Sequence, residues 1–194
     1  MSFDVLFEFE SAIAEYTGAP YAVVTDCCTH ALHLCFLYDN VKSLSFPAYT
    51  YLSILQLMNQ LNIDYTYNDD EWQEDGEYQF KGSRIWDSAR LMGHNMYRPG
   101  QLQCLSFGNG KPLQLGRVGA ILTDDLDAYK ELSCMRSDGR DLQIHPWPMQ
   151  QTFRQGFHYC PTLESCALGL EKIKHIDTSV TKINYTDLRM LDIE

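Results

Sequence analysis

The sequence has no run of basic residues. Its 15 lysines and arginines face 26 aspartates and glutamates, for a net charge of -11. Phosphate backbones would be repelled, which argues against nucleic acid as a partner. An anionic membrane surface is disfavoured for the same reason. No apolar run reaches membrane-spanning length, and Met1-Ser2-Phe3-Asp4 lacks the positive flank of a signal peptide. Internal repeats and low-complexity segments are absent. The seven cysteines are odd in number and scattered, several of them in apolar segments (Cys35, Cys104, Cys166). That pattern points to reduced thiols in a soluble, cytoplasmic protein rather than to a disulfide framework. Cys27, Cys28, His30, His33 and Cys35 crowd together, yet no second paired motif completes a metal site, so no metal is expected.

What is present is an ordinary globular composition. Of the 194 residues, 45% are hydrophobic and 12% aromatic. This suffices for one domain with a real core, and a disordered chain would lack it. The densest acidic cluster, Asp69-Asp70-Glu71 with Glu74, Asp75 and Glu77, reads as a solvated loop.

Apolar spacing predicts a helix over 4–17, stopped by Gly18, and a short buried strand over 21–25. A second helix runs from Thr29 through Leu37. A strand over 43–46 ends at Pro47, a helix covers about 50–61, and a strand covers 63–67. Residues 68–82 read as loop. Strands follow at 84–86, 102–105 and 118–122, and Asp124 or Asp125 caps the next helix. That helix ends near Asp138-Gly139. Residues 141–160 read as an irregular loop, and Pro161 opens a helix to about His175. The expected domain is 1–177, with 178–194 a frayed tail or arm. Strands alternating with helices imply an α/β fold with a mainly parallel sheet sandwiched by helices. Such sheets bind ligands at the carboxyl ends of their strands.

Candidate chemistry sits at those ends. Lys111 lies in a Gly-rich turn beyond a short apolar strand, and Ser106 precedes it in Ser106-Phe107-Gly108-Asn109-Gly110-Lys111. Asp87 closes the strand of Ser83-Arg84-Ile85-Trp86-Asp87. An amine and a carboxylate at the ends of neighbouring strands are what pyridoxal phosphate requires, the amine for its aldehyde and the carboxylate for its ring nitrogen. A phosphate-binding loop of the nucleotide type does not fit, because Leu105 and Pro112 stand where glycine and a hydroxyl residue are needed. Taken singly, each residue has a plainer reading. Lys111 alone reads as a solvated turn lysine and Asp87 as a helix cap, while Thr29 reads as an N-cap as readily as a phosphate ligand. Tyr49 or Tyr51 could stack on a flat ring or simply pack.

The order of these signals carries more than any one of them. From about residue 9 to 177 the chain resembles the DegT/DnrJ/EryC1/StrS family of sugar aminotransferases, pyridoxal-phosphate enzymes of fold type I. The opening helix and strand are similar over Phe9–Gly18 and Tyr21-Ala22-Val23. Thr29-His30-Ala31-Leu32-His33-Leu34 is similar to the phosphate segment, and Pro47-Ala48-Tyr49-Thr50-Tyr51 to the segment with the ring-stacking aromatic. Asp87-Ser88-Ala89-Arg90 matches the ring-nitrogen motif. Ser106-Phe107 through Lys111 matches the serine–lysine motif, and Gly156-Phe157-His158-Tyr159 with Ala167-Leu168-Gly169-Leu170 matches a later block.

The resemblance implies that Lys111 joins the cofactor covalently and moves protons, and that Asp87 pairs with the ring nitrogen. It implies that Thr29, His30 and Ser106 hold the phosphate and that Tyr51 stacks on the ring. An amino donor and a keto-sugar nucleotide would be the substrates, in a homodimer with His158 acting across the interface. The chain departs from the family pattern at Cys28 (for glycine), Arg90 (for glutamine), His158 (for asparagine) and Cys160 (for arginine). Arg90 would offer a charged donor to the ring hydroxyl or to a substrate carboxylate. The length is about half the family's usual length. A strand–helix unit between Asp70 and Arg84 and the small C-terminal domain are expected to be missing. The alternative reading is a binding or regulatory protein that keeps the fold and the cofactor site without turnover. A sugar dehydratase of the same family fits less well, because a histidine replaces the lysine there.

Overall fold

The computed structural model describes residues 2–176 and 183–191. The helices are α1 (Asp4–Thr17), α2 (Cys28–Tyr38), α3 (Leu52–Leu61), α4 (Leu126–Arg136) and α5 (Leu163–Lys172). The strands are β1 (Tyr21–Thr25), β2 (Ser43–Pro47), β3 (Asp64–Asn68), β4 (Tyr78–Gln79), β5 (Ile85–Ser88), β6 (Leu102–Ser106) and β7 (Gly119–Thr123).

Local chemistry explains most boundaries. Gly18 ends α1 in a left-handed conformation, φ 76°, and Asn62 does the same for α3 at φ 51°. Asp125 caps α4 by accepting from the Asp127 and Ala128 N–H groups, and Thr162 caps α5 through Ser165 N–H. By contrast, α2 begins at Cys27 with no side-chain cap.

The main sheet has the order β1-β7-β6-β5-β4, and β2 pairs with β3 in a separate parallel ladder. Here the expected mainly parallel sheet is corrected. Within the five-stranded sheet only β5 and β6 are parallel neighbours, while β7 runs against both β1 and β6, and β4 runs against β5. A parallel return needs a crossover, usually helical. The connection between Phe107 and Val118 contains no helix, so β7 comes back antiparallel. A second correction concerns 68–82: this stretch holds β4, which pairs Tyr78 with Asp87.

Side chains alternate across the sheet and build two cores. Val23, Leu102, Cys104 and Ile121 face α2, α3 and α4. Ala22, Val24, Leu105, Ala120 and Leu122 face α1 and α5. Each fully buried Leu, Ile or Phe contributes about 1.5–3 kcal/mol. Gly169 is what lets α5 lie on α1, since a Cβ there would stand 2.3 Å from the Phe9 ring. A buried Arg136 ties the layers together. Its Nη1 donates to the Val24 carbonyl at 2.8 Å and to Glu10, whose carboxylate also accepts the Val24 N–H at 2.8 Å. These layers leave the carboxyl ends of β5 and β6 and the start of α2 around one opening.

Candidate active site

That opening is a cavity of about 800 Å³. Four elements deliver side chains to it. The first turn of α2 brings Cys27, Cys28 and Thr29, the turn before α3 brings Thr50 and Tyr51, the end of β5 brings Asp87 and Arg90, and the end of β6 brings Ser106 and Lys111. Residues 183–191 supply a further wall through Ile183, Tyr185 and Leu188.

Asp87 is buried at 5% exposure. Its Oδ1 accepts the Ala89 N–H at 3.0 Å and its Oδ2 accepts the Tyr78 hydroxyl at 3.1 Å. Tyr78 is itself hydrogen-bonded to Thr50 Oγ1 at 2.9 Å. Burial raises the Asp87 carboxyl above its ordinary range, and the Lys111 charge and these hydrogen bonds pull it back. Lys111 shows the mirror image. Burial lowers its ammonium below the ordinary lysine range, Asp87 opposes the shift, and the Arg90 charge adds to it. The Lys111 amine is therefore easier to deprotonate than a solvated lysine, which is what a nucleophilic amine needs.

The turn that carries Lys111 is tightly closed. Lys111 N–H donates to the Gly108 carbonyl at 3.3 Å, Leu115 N–H donates to Phe107 at 2.7 Å, and Gly110 takes φ 71°. Only glycine adopts that conformation without strain. Gly108 lies between Ser106 and Lys111: a Cβ there would sit 3.6 Å from Ser106 Oγ and 4.0 Å from Lys111 Cγ.

The start of α2 presents unshared backbone N–H groups and the positive end of the helix dipole to the cavity. Burial and the Asp87 charge push the Cys28 thiol well up, so it stays neutral beside those N–H groups. The glycine of the family pattern is absent at 28, but close packing appears on the sheet side. Gly119 of β7 faces the helix start, and a Cβ on it would stand 2.4 Å from Cys28 N. Thr29 Oγ1 is hydrogen-bonded to Ser53 at 2.9 Å. Despite the acidic chain, the cavity wall holds Lys111, Arg90 and Arg117 against Asp87.

The structure thus brings together Thr29, Tyr51, Asp87, Arg90, Ser106 and Lys111. It does not bring His30 there. The His30 Nδ1 is 2.5 Å from Asp26 Oδ1, and its ring stacks on Tyr159 with centroids 3.6 Å apart. The i,i+4 carboxylate wins the imidazole, and His30 lines a smaller neighbouring pocket of about 330 Å³. His158 is also remote from the cavity wall, solvent-facing and 3.2 Å from Asp138. Asp26, Cys27 and His30 place one ligand atom each within 4.8 Å of one another. The Arg117 guanidinium also bonds Asp26 at 3.0 Å, so a cation already neutralises the carboxylate a metal would use.

Three residues of the site escape sequence reasoning. Tyr78 lies in a strand of two residues, too short to show a period. Trp72 sits in the acidic stretch, its Nε1–H donating to the Tyr49 carbonyl at 2.9 Å. Tyr185 lies beyond the last helix and stacks on Trp72 at 5.5 Å.

Known proteins resemble this chain in sequence and fold. The chain is 22% identical to the UDP-4-amino-4,6-dideoxy-N-acetyl-beta-L-altrosamine transaminase of Campylobacter jejuni, an alignment covering 90% of this chain and 58% of that protein. Among solved structures it superposes on 3-amino-5-hydroxybenzoic acid synthase with a TM-score of 0.73 and 19% identity, over 89% of this chain and 56% of the other. The sugar aminotransferase CalS13 from Micromonospora echinospora gives a TM-score of 0.71 and 15% identity, over 88% and 60%. The chain therefore spans little more than half the length of the proteins it matches. These superpositions show a fold type I large domain. The family pattern covers residues 4–73 and 88–185, leaving out the stretch that holds β4 and ends with Asp87. With most of its length inside that pattern, the chain belongs to the DegT/DnrJ/EryC1/StrS aminotransferase family.

Proposed function

We propose that this chain binds pyridoxal phosphate and transfers an amino group between an amino donor and a keto-sugar nucleotide. The observation that carries the reading is the pairing of a buried carboxylate with a partly desolvated lysine in one cavity, at the ends of adjacent strands. The residues fit the cofactor. The uncapped start of α2 suits a phosphate, and Asp87, held by two hydrogen bonds, suits a protonated ring nitrogen. When bound, the cofactor supplies an aldehyde that condenses with amines and a ring that draws off electrons.

The chain's own groups do the rest. Thr29 and Ser106 hold the phosphate together with the α2 N–H groups. Tyr51, exposed at the rim, stacks on the ring. Lys111 would hold the cofactor through its neutral amine, and its Nζ, once released by the amino donor, would move a proton between the donor's α-carbon and the former aldehyde carbon of the cofactor. Arg90 binds the ring hydroxyl or a substrate carboxylate. The Campylobacter jejuni relative is a UDP-sugar transaminase, which supports the sugar-nucleotide class here. His158, solvent-facing beside Asp138, would meet a second copy of the chain, so a homodimer is part of the proposal. Seven free thiols suit a reducing compartment such as the cytoplasm.

A second reading is a cofactor-binding protein without turnover, favoured by Cys28 and Arg90 at two positions that contact the cofactor in the family pattern. One experiment separates the two. Pyridoxal phosphate is added to the purified protein, its visible absorption recorded, and the adduct trapped with borohydride and mapped, with Lys111→Ala as control. An adduct at Lys111 that is consumed by an amino donor supports transamination. An adduct unmoved by any donor favours the binding protein, and no adduct on folded protein overturns both.

A further inference from the structure

The segment after α5 returns to the cavity. Leu188, 2% exposed, donates its N–H to the Ala48 carbonyl at 2.9 Å, just ahead of Tyr51. Arg189 Nη1 pairs with Asp69 at 2.9 Å, and its guanidinium lies 5.8 Å from the Tyr49 ring centroid. Asp187 shapes the turn by accepting the Arg189 N–H at 3.0 Å. These anchors fix the segment to the loops after β2 and β3. Just ahead of these anchors, Tyr185 stacks on Trp72 and lines the same cavity wall as Arg90. Ile183, Tyr185 and Leu188 all face the space that Lys111 and Asp87 line.

We propose that residues 183–191 form a strap that closes this cavity over Lys111, with Leu188 as its apolar anchor and Tyr185 as the residue that latches it to Arg90. Bulky ligands enter when the strap lifts, whereas small ones reach the amine with the strap in place. The strap shares its cavity with the function proposed above, and it rests on that reading only for the identity of the bulky ligand. Among the described residues the strap is held by the buried Leu188, one backbone bond to Ala48, the Tyr185–Trp72 stack and the Arg189–Asp69 ion pair, and local elements with so few ties open below the cost of global unfolding.

The test needs no cofactor. Lysines are methylated with formaldehyde and borohydride, and the labelling of Lys111 is expressed relative to the exposed Lys130. Leu188→Ala combined with Arg189→Ala is expected to raise that ratio severalfold, and Tyr185→Phe, which keeps the ring stack but loses the latch, to raise it by less. An unchanged ratio in a folded double variant overturns the strap. Amide exchange of the unmodified chain gives a second measurement that does not depend on the folding of that variant. A Leu188 N–H that exchanges as fast as in an unstructured peptide also overturns it. Replacing formaldehyde by pyridoxal phosphate should enlarge the gain of the double variant. If pyridoxal phosphate labels Lys111 in no variant, the function proposed above falls, while the formaldehyde ratio still decides the strap.

Discussion

The Tyr78 hydroxyl donates to Asp87 Oδ2 at 3.1 Å across the β4–β5 pair. Both side chains are buried, and Thr50 completes the chain at 2.9 Å. The bond favours the charged form of Asp87 against its burial. Tyr78→Phe is expected to cost about 1.5–3 kcal/mol of stability, the value of a hydrogen bond to a charged group. Urea denaturation checks this, and an unshifted midpoint would show that water or a neighbour replaces the hydroxyl. The same substitution should weaken retention of pyridoxal phosphate, because a more readily protonated Asp87 holds a ring proton less well.

The lowered ammonium of Lys111 predicts a pH profile. Burial and Arg90 favour the neutral amine, and Asp87 opposes them. The methylation rate of Lys111 should therefore rise at lower pH than that of a free lysine side chain in a short peptide. Asp87→Asn removes the opposing charge and should move the Lys111 profile lower still. A Lys111 profile coincident with that of the peptide would contradict the desolvated environment.

His30 predicts a pH effect on stability with a definite sign. Burial works against its charged form, but the bonds to Asp26 and Cys27 and their charges outweigh it and raise the imidazole from 6.5 to about 9. The folded protein thus holds this proton more tightly than the unfolded chain. The associated stability is complete below pH 6.5 and is lost as pH rises through about 9. Urea midpoints should fall across that window in the unmodified protein and fall less in His30→Gln. Parallel curves for the two proteins would remove His30 as the cause.

Gly119 predicts a steric effect. A Cβ there meets Cys28 N at 2.4 Å and Cys27 C at 2.5 Å, backbone atoms that have no easy retreat. Gly119→Ala should destabilise by about 1–3 kcal/mol, as overpacking does, and should push the start of α2 away from the cavity. Gly93, with nothing within 4 Å of its added Cβ, is the control. Gly93→Ala should stay within about 0.5 kcal/mol. Equal midpoints for the two variants would mean that α2 yields without cost.

Much of this was legible in the sequence for physical reasons. Apolar runs mark β5 and β6, so Asp87 and Ser106 are visible as residues at strand ends, and Gly110 marks the turn before Lys111. The direction of β7 was not legible, because a run of apolar residues carries no sign and only the helix-free connection sets it. β4 is too short for periodicity. His30 looked like a phosphate ligand because motif matching ignores a local carboxylate four residues back. The strap residues Ile183, Tyr185 and Leu188 follow neither a helix nor a strand period. Their spacing answers to a cavity wall, which only the folded chain displays.

The parallel β5–β6 ladder pairs Asp87 with Cys104 and Ser88 with Leu105. It welds the carboxylate to the strand that leads into Ser106 and Lys111. Separating them requires breaking central ladder bonds, which open only with the whole protein. The cavity wall also includes the turn at Tyr51 and the segment around Tyr185, which belong to no strand ladder. Local opening should therefore begin at that rim and leave Asp87 and Ser106 in register.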